Sequence, residues 1–150
     1  MDLYIVRHGE AASGANDAAR RLTDHGRSEV EKIAQAMSQR GVSIRQIRHS
    51  GRARARETAE IIGSHLEPPA GVVAIAGIHP DDPVEPIALS LFGERESLML
   101  VGHLPFVARM VAHLTAGSAD RRSMNFPTAT VACLRGEDDQ WELVWSEGPS

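Results

Sequence analysis

Apolar residues recur along this chain in two rhythms. At residues 3–6 (LYIV) and 98–101 (LMLV) they are continuous, the pattern of strands covered on both faces of a parallel sheet. Elsewhere the spacing becomes i, i+3, i+4, i+7: Val30, Ile33, Ala34 and Met37, then Val107, Met110, Val111 and Leu114. Each set is one stripe of an amphipathic helix. The first helix is expected over residues 24–40, with Thr23 as N-cap and Gly41 where a left-handed C-terminal residue belongs. A second is expected over residues 52–66, with Ala55, Ala59 and Ile62 turned inward. A third starts in DPVEPIALSL, with Asp82 as N-cap, Pro83 at the first helical position and Glu85 three residues past the cap. Its inward stripe is Val84, Ile87, Ala88 and Leu91.

Short apolar stretches at residues 43–50 (SIRQIRHS) and 72–77 (VVAIAG) supply further strands, and EPPAG at residues 67–71 breaks the chain before the second. The tail changes character. ATVACL and WELVW flank RGEDDQ, and Trp141, Leu143 and Trp145 alternate with Glu142 and Val144, which predicts an antiparallel hairpin at a sheet edge. Strands alternating with amphipathic helices define an α/β fold, here a three-layer αβα sandwich: a mostly parallel sheet, helices on both faces and a C-terminal antiparallel hairpin. At 150 residues the chain reads as one domain, 1–150.

Composition narrows the function classes. A hydrophobic fraction of 42% with 24% charged residues is that of a soluble globular protein, and 4% aromatics makes the core aliphatic. A net charge of −4 excludes a general nucleic-acid binder while leaving room for a local cationic pocket. The one cysteine, Cys133, excludes an internal disulfide and a cysteine-based zinc site, and its apolar neighbours make it a core residue. The N-terminal apolar run is too short for a signal peptide or a membrane span, so a cytoplasmic protein without a membrane partner is expected. A face shared by Trp141 and Trp145 offers an edge for self-association, consistent with a monomer or weak homodimer.

Both continuous strands end in groups that are costly to bury without partners: VRHGE after the first and VGHLP after the second. In parallel α/β sheets ligands bind beyond the carboxyl ends of strands, which places Arg7, His8 and His103 at one crevice. SGRARARET at residues 50–58 adds a further cation. On a helix Arg52 and Arg56 are i, i+4 neighbours, whereas Arg54 points the other way and shares a side with Thr58. Arg54 is therefore expected in the crevice, with Arg52 and Arg56 in water and Arg56 paired with Glu60. Two guanidiniums and two imidazoles suit a phosphoryl group, whose oxygens match the arginine fork. A neutral histidine can attack phosphorus, and neighbouring cations keep its nitrogen unprotonated. A second histidine can donate to the group in transfer, and Gly9 removes a side chain where ligand and backbone approach. The remaining histidines, His25, His49, His65, His79 and His113, read as structural or exposed. The flanking arginines would repel a dication, so no metal is expected.

VRHGE, RRLTDHGR, SGRARARET and VGHLP, in that order, resemble the histidine phosphatase superfamily, the phosphoglycerate mutase-like proteins known for an RHG motif. The short chain and the motif spacing are similar to its SixA-type phosphohistidine phosphatase branch. The resemblance runs from residue 4 to about residue 114. It implies that His8 is the nucleophile that becomes phosphorylated, that Arg7 and Arg54 hold the phosphoryl oxygens, and that His103 completes the pocket. Arg20 of RRLT matches a further phosphate-binding arginine, with Arg21 beside it as the alternative, and no cofactor is implied. Family members often carry Ser-Pro before the helix, whereas this chain has Ser50-Gly51. Superfamily enzymes that cleave phosphate esters use a carboxylic acid as proton donor. The matching region offers Asp81, Asp82 and Glu85, of which Asp82 and Glu85 are also explained as helix caps, while Glu10 reads as a local hydrogen-bond partner. The leaving imidazole of phosphohistidine needs less help than an alkoxide. The 46 residues from His8 to Arg54 and the 49 from Arg54 to His103 leave no room for the cap insertions of larger relatives. Both features favour a phosphorylated protein of the histidine-containing phosphocarrier type as substrate. A small phosphate ester, or a non-catalytic phosphoprotein-binding module, is the alternative.

Overall fold

The first continuous run, residues 3–6, forms the buried centre of β1 (Asp2–Arg7), and alternation of side chains across a strand explains why it carries no charge on either face. Leu3 and Ile5 enter one core, Tyr4 and Val6 the other. The structure, a computed structural model, describes residues 1–117, 124–137 and 139–149. After β1 come α1 (Asp24–Gln39), β2 (Gln46–His49), α2 (Ala53–Leu66), β3 (Val72–Ala74), α3 (Glu85–Ser90), β4 (Leu98–Gly102), α4 (Phe106–Ala116), β5 (Val131–Glu137) and β6 (Gln140–Glu147). The strand order is β3-β2-β4-β1-β5-β6. The first four strands of that order run parallel, and β5 and β6 form the antiparallel hairpin.

Helices α1 and α2 cover one face, burying Val30, Ile33, Ala34, Met37, Ala55, Ala59 and Ile62. Helix α4, with Val84 and Leu91 from the α3 region, covers the other around Phe106, Val107, Met110 and Val111. The αβα layering follows from the sequence rhythm, as does the start of α1, where Thr23 Oγ1 accepts the Gly26 N–H at 2.9 Å. Gly41 follows the helix with φ 76°.

Three local expectations are corrected. Helix α3 starts at Glu85 after Val84, with no side-chain cap. The Asp82 carboxylate instead accepts the His79 N–H at 2.8 Å, closing a turn three residues upstream of the helix. Ile87 and Ala88 are only half-buried, because this helix is too short to seat a full stripe. In the tail, β5 continues through Arg135, Gly136 and Glu137, so the connection is tighter than RGEDDQ suggested; Asp138 lies outside the described residues. Finally, the register slips between Cys133, opposite Trp145, and Leu134, opposite Leu143. A bulge exchanges the faces of the strand beyond it. Trp145 therefore packs beside Tyr4, ring centroids 6.0 Å apart, on the α1 side, while Trp141 packs in the opposite layer. The single tryptophan face expected for self-association does not exist.

Candidate active site

Strand register explains why two distant segments meet. Arg7 lies opposite Gly102 in the parallel β1–β4 pair, so the next residue of each chain segment, His8 and His103, leaves the sheet side by side. The His8 N–H bonds the Gly102 carbonyl at 3.0 Å, and the two rings lie 5.0 Å apart, tilted by 52°.

Each ring is oriented by a defined partner. His8 Nδ1 is 2.6 Å from the Gly9 carbonyl oxygen. A carbonyl only accepts, so Nδ1 carries the proton and Nε2 keeps its lone pair. Burial, then the Arg54, Arg7 and Arg20 charges, pushes the His8 pKa down to about 4 against the opposing Gly9 bond. His103 is buried, its Nε2 2.6 Å from Ser50 Oγ. Burial, with His8, Arg54 and Arg52 nearby, pushes it to about 3. Both imidazoles are neutral at pH 7.

Helix α2 delivers Arg54 in its first turn, 5% exposed. Its guanidinium donates to the Asp17 backbone oxygen at 2.8 Å and to Asp17 Oδ2 at 3.2 Å. One turn on, Thr58 Oγ1 donates to the Arg54 carbonyl at 2.7 Å and accepts the Gly9 N–H at 3.0 Å. A single hydroxyl thus latches the loop after β1 to the helix that carries Arg54. Packing gives Gly9 a reason of its own to lack a side chain. A Cβ there would sit 2.7 Å from Val30 Cγ2 and 3.1 Å from the Gly26 carbonyl oxygen, so helix α1, packed against the backbone, excludes it. Arg7 donates to the Phe126 carbonyl at 3.1 Å, and its Nε is buried without a partner among the described residues.

Of the RRLT pair, Arg20 turns to this side. It donates to the Ala12 carbonyl at 2.7 Å and to Asp17 Oδ1 at 3.0 Å. Arg21 turns away to Glu57, 2.7 Å distant. Arg56 pairs with Glu60 at 3.6 Å in the expected way. Arg52 does not face water. As the N-cap of α2 it precedes helical geometry, so its phase relation to Arg56 fails, and its guanidinium reaches the Asp17 carboxylate and His79 Nδ1. Glu10 accepts from Thr23 Oγ1 at 2.8 Å, a local bond as read. Asp81 and Glu85 are exposed. Asp82 is engaged at His79, and none of the three acids bonds to Arg7, His8, Arg54 or His103.

Three residues escaped the sequence reading. Asp17, in a 3-10 turn (Asp17–Ala19), pairs with Arg20, Arg52 and Arg54. The Arg20 hydrogen bond holds its carboxyl below the usual range; burial opposes it, and Arg54 and Arg52 add to the lowering. Ser50 faces His103. Glu57 is buried, and burial pushes its pKa up, but the Leu22 N–H, Arg21 and Arg27 outweigh that and hold it low. The acidic residue inside RARARET was the only signal for Glu57. Among the described residues no cluster of three or more His, Cys, Asp or Glu side chains is placed to hold a metal, and no helix is long and apolar enough to cross a membrane.

A lone pair on one neutral imidazole, a second imidazole beside it and a fan of guanidiniums at the end of a parallel strand together suit attack on a phosphoryl group. The chain belongs to the histidine phosphatase superfamily: residues 3–75 match the family model of its branch 1. Over 155 aligned residues it is 30% identical to phosphohistidine phosphatase SixA of Escherichia coli (strain K12), covering 99% of this chain and 94% of that one. The solved structure of the protein histidine phosphatase SixA complexed with tungstate superposes with a TM-score of 0.90 at 28% identity, covering 99% of this chain and 97% of that one.

Proposed function

We propose that this protein is a phosphatase that removes phosphate from phosphohistidine on a protein, through a phosphorylated His8. His8 Nε2 attacks phosphorus in line, and the P–N bond of the substrate breaks with its electron pair passing to the departing imidazole, which takes a proton from water. Arg7 and Arg54 hold the equatorial oxygens, His103 donates to one of them, and Arg20 and Arg52 add positive charge at the rim. Water then attacks the phospho-His8 phosphorus, releasing phosphate and restoring the imidazole. The observation that carries the reading is the His8 ring itself, its Nδ1 committed to Gly9 and its Nε2 free at neutral pH.

The absence of Asp81, Asp82 and Glu85 from the hydrogen bonds of the pocket favours a leaving group that needs no protein acid, which phosphohistidine has and a sugar phosphate lacks. The test is to offer wild type and His8→Ala a phosphohistidine carrier protein and a panel of sugar phosphates, trapping phosphorylated enzyme by rapid quench. Wild type is expected to form a transient base-stable, acid-labile phosphoenzyme from the carrier, and His8→Ala none. Turnover of sugar phosphates alone would refute the substrate assignment, and a phosphoenzyme in His8→Ala would refute the nucleophile.

A further inference from the structure

The turn after β2 carries a side chain to which the reaction above assigns no part. Ser50 is 6% exposed, and its hydroxyl lies 2.6 Å from Nε2 of His103. The other nitrogen of that ring, Nδ1, is buried without a partner among the described residues. We propose that Ser50 is a positioning residue that fixes His103 as its Nδ1–H tautomer, so that the ring offers an N–H to a phosphoryl oxygen. The inference rests on the phosphoryl transfer proposed for His8.

Proton counting supports it. A neutral imidazole has one N–H, and a hydroxyl has one proton to give. Ser50 Oγ already accepts, at 3.4 Å, from the Arg52 N–H. Its own proton needs an acceptor, and His103 Nε2 is the one in contact. The single ring proton then sits on Nδ1. The opposite tautomer would spend the ring N–H on an oxygen that already accepts, leave the hydroxyl proton without an acceptor, and turn a lone pair toward an anionic substrate. Double protonation is opposed by burial and by the neighbouring Arg54 and Arg52.

Backbone geometry holds the hydroxyl there. His49 pairs with Val101 across β2 and β4, so Ser50 and His103 leave adjacent strand ends. Gly51 follows with φ 91°, its N–H donating to His49 Nδ1 at 3.0 Å. Proline is locked near φ −65° and cannot make this turn, so Ser-Gly in place of Ser-Pro is a built feature of the loop. The two site imidazoles end up with opposite assignments. His8 commits Nδ1–H to Gly9 and keeps a nucleophilic Nε2, whereas His103 commits Nε2 to Ser50 and keeps a donor Nδ1–H.

The test combines nitrogen NMR of protein labelled at histidine with rapid-quench phosphoenzyme formation, for wild type, Ser50→Ala and Ser50→Thr. In wild type at pH 7, His103 Nδ1 is expected to resonate as a protonated nitrogen and Nε2 as an unprotonated one. Ser50→Ala should mix the tautomers and slow phosphoenzyme formation in proportion to the rings that lose Nδ1–H, about 2-fold for an even mixture. Ser50→Thr, which keeps the hydroxyl, should restore the spectrum and most of the rate. A wild-type proton on Nε2 would overturn the proposal, as would an unchanged tautomer in Ser50→Ala, whatever its rate. Should wild type form no phosphoenzyme while His103 carries Nδ1–H and Ser50→Ala loses it, the tautomer assignment stands and the phosphatase reading falls.

Discussion

Acidification should leave the nucleophile working long after an ordinary histidine would have been protonated. Burial of His8, with Arg54, Arg7 and Arg20 behind it, lowers its pKa from 6.5 to about 4. At pH 5 a histidine of pKa 6.5 is about 3% unprotonated, whereas one at 4 is about 90% unprotonated. The rate of His8 phosphorylation per folded molecule should therefore exceed by about 30-fold, at that pH, what an unshifted histidine would allow. Because P–N bonds hydrolyse in acid, the assay is the initial release of the phenol from an acid-stable aryl phosphate between pH 4 and 8, which counts His8 phosphorylation whatever becomes of the phosphoenzyme, beside an NMR titration of the His8 and His103 ring protons.

Stability should move differently from rate. The folded pKa values lie below the unfolded one, so the unfolded chain binds protons that the folded chain refuses. Stability is then fully present above pH 6.5 and is lost as pH falls toward 4, by about 1.4 kcal/mol per pH unit for each proton taken up. Denaturant midpoints should fall across the window in which the rate per folded molecule holds. An acid limb near 6.5, or a His8 signal titrating there, would refute the argument that burial and three guanidiniums keep the ring neutral.

Two substitutions probe the cations around that ring. Arg54→Lys replaces a fork that spans two oxygens of Asp17 by a single ammonium, and should lower kcat/KM by about 100-fold; an unchanged value would place the guanidinium off the phosphoryl group. Asp17→Asn removes the carboxylate with which an oxyanion must compete for Arg54, Arg20 and Arg52. With three exposed pairs worth about 0.2–1 kcal/mol each, tungstate should bind about 3- to 150-fold tighter by calorimetry, and weaker binding would mean that Asp17 aligns the arginines instead of competing with the ligand.

What could be read from the sequence, and what could not, divides along a physical line. Arg7, His8 and His103 were legible because two continuous apolar runs had to be interior parallel strands, and the ends of such strands open on one crevice. Arg54 was legible because helical phase separates it from Arg56. The limits appear where the phase argument met a helix end. Arg52 is a cap and obeys no wheel, and Asp82 closes a turn before the helix it was expected to cap. Asp17, Ser50 and Glu57 were invisible because each acts on a group from another element, across 37 residues from Asp17 to Arg54, 53 from Ser50 to His103 and 35 from Leu22 to Glu57. The tryptophan face failed for a comparable reason. A bulge is fixed by the pairing partner, and alternation along one strand does not reveal it.

The same cations explain both halves of the site's chemistry. Among the described residues, the guanidiniums of Arg7, Arg20, Arg52 and Arg54 stand against the carboxylate of Asp17, and both rings are neutral, so these groups carry surplus positive charge in a chain whose net charge is −4. That surplus attracts a phosphoryl dianion and disfavours a proton on either imidazole, which keeps the attacking lone pair available at the pH where the substrate is fully charged. Phosphoryl transfer to His8 moves negative charge within the reach of these guanidiniums and does not remove it from them. Loss of Arg7, Arg20 or Arg54 should therefore weaken oxyanion binding and raise the His8 pKa together, and a variant that did one without the other would separate two effects that the geometry joins.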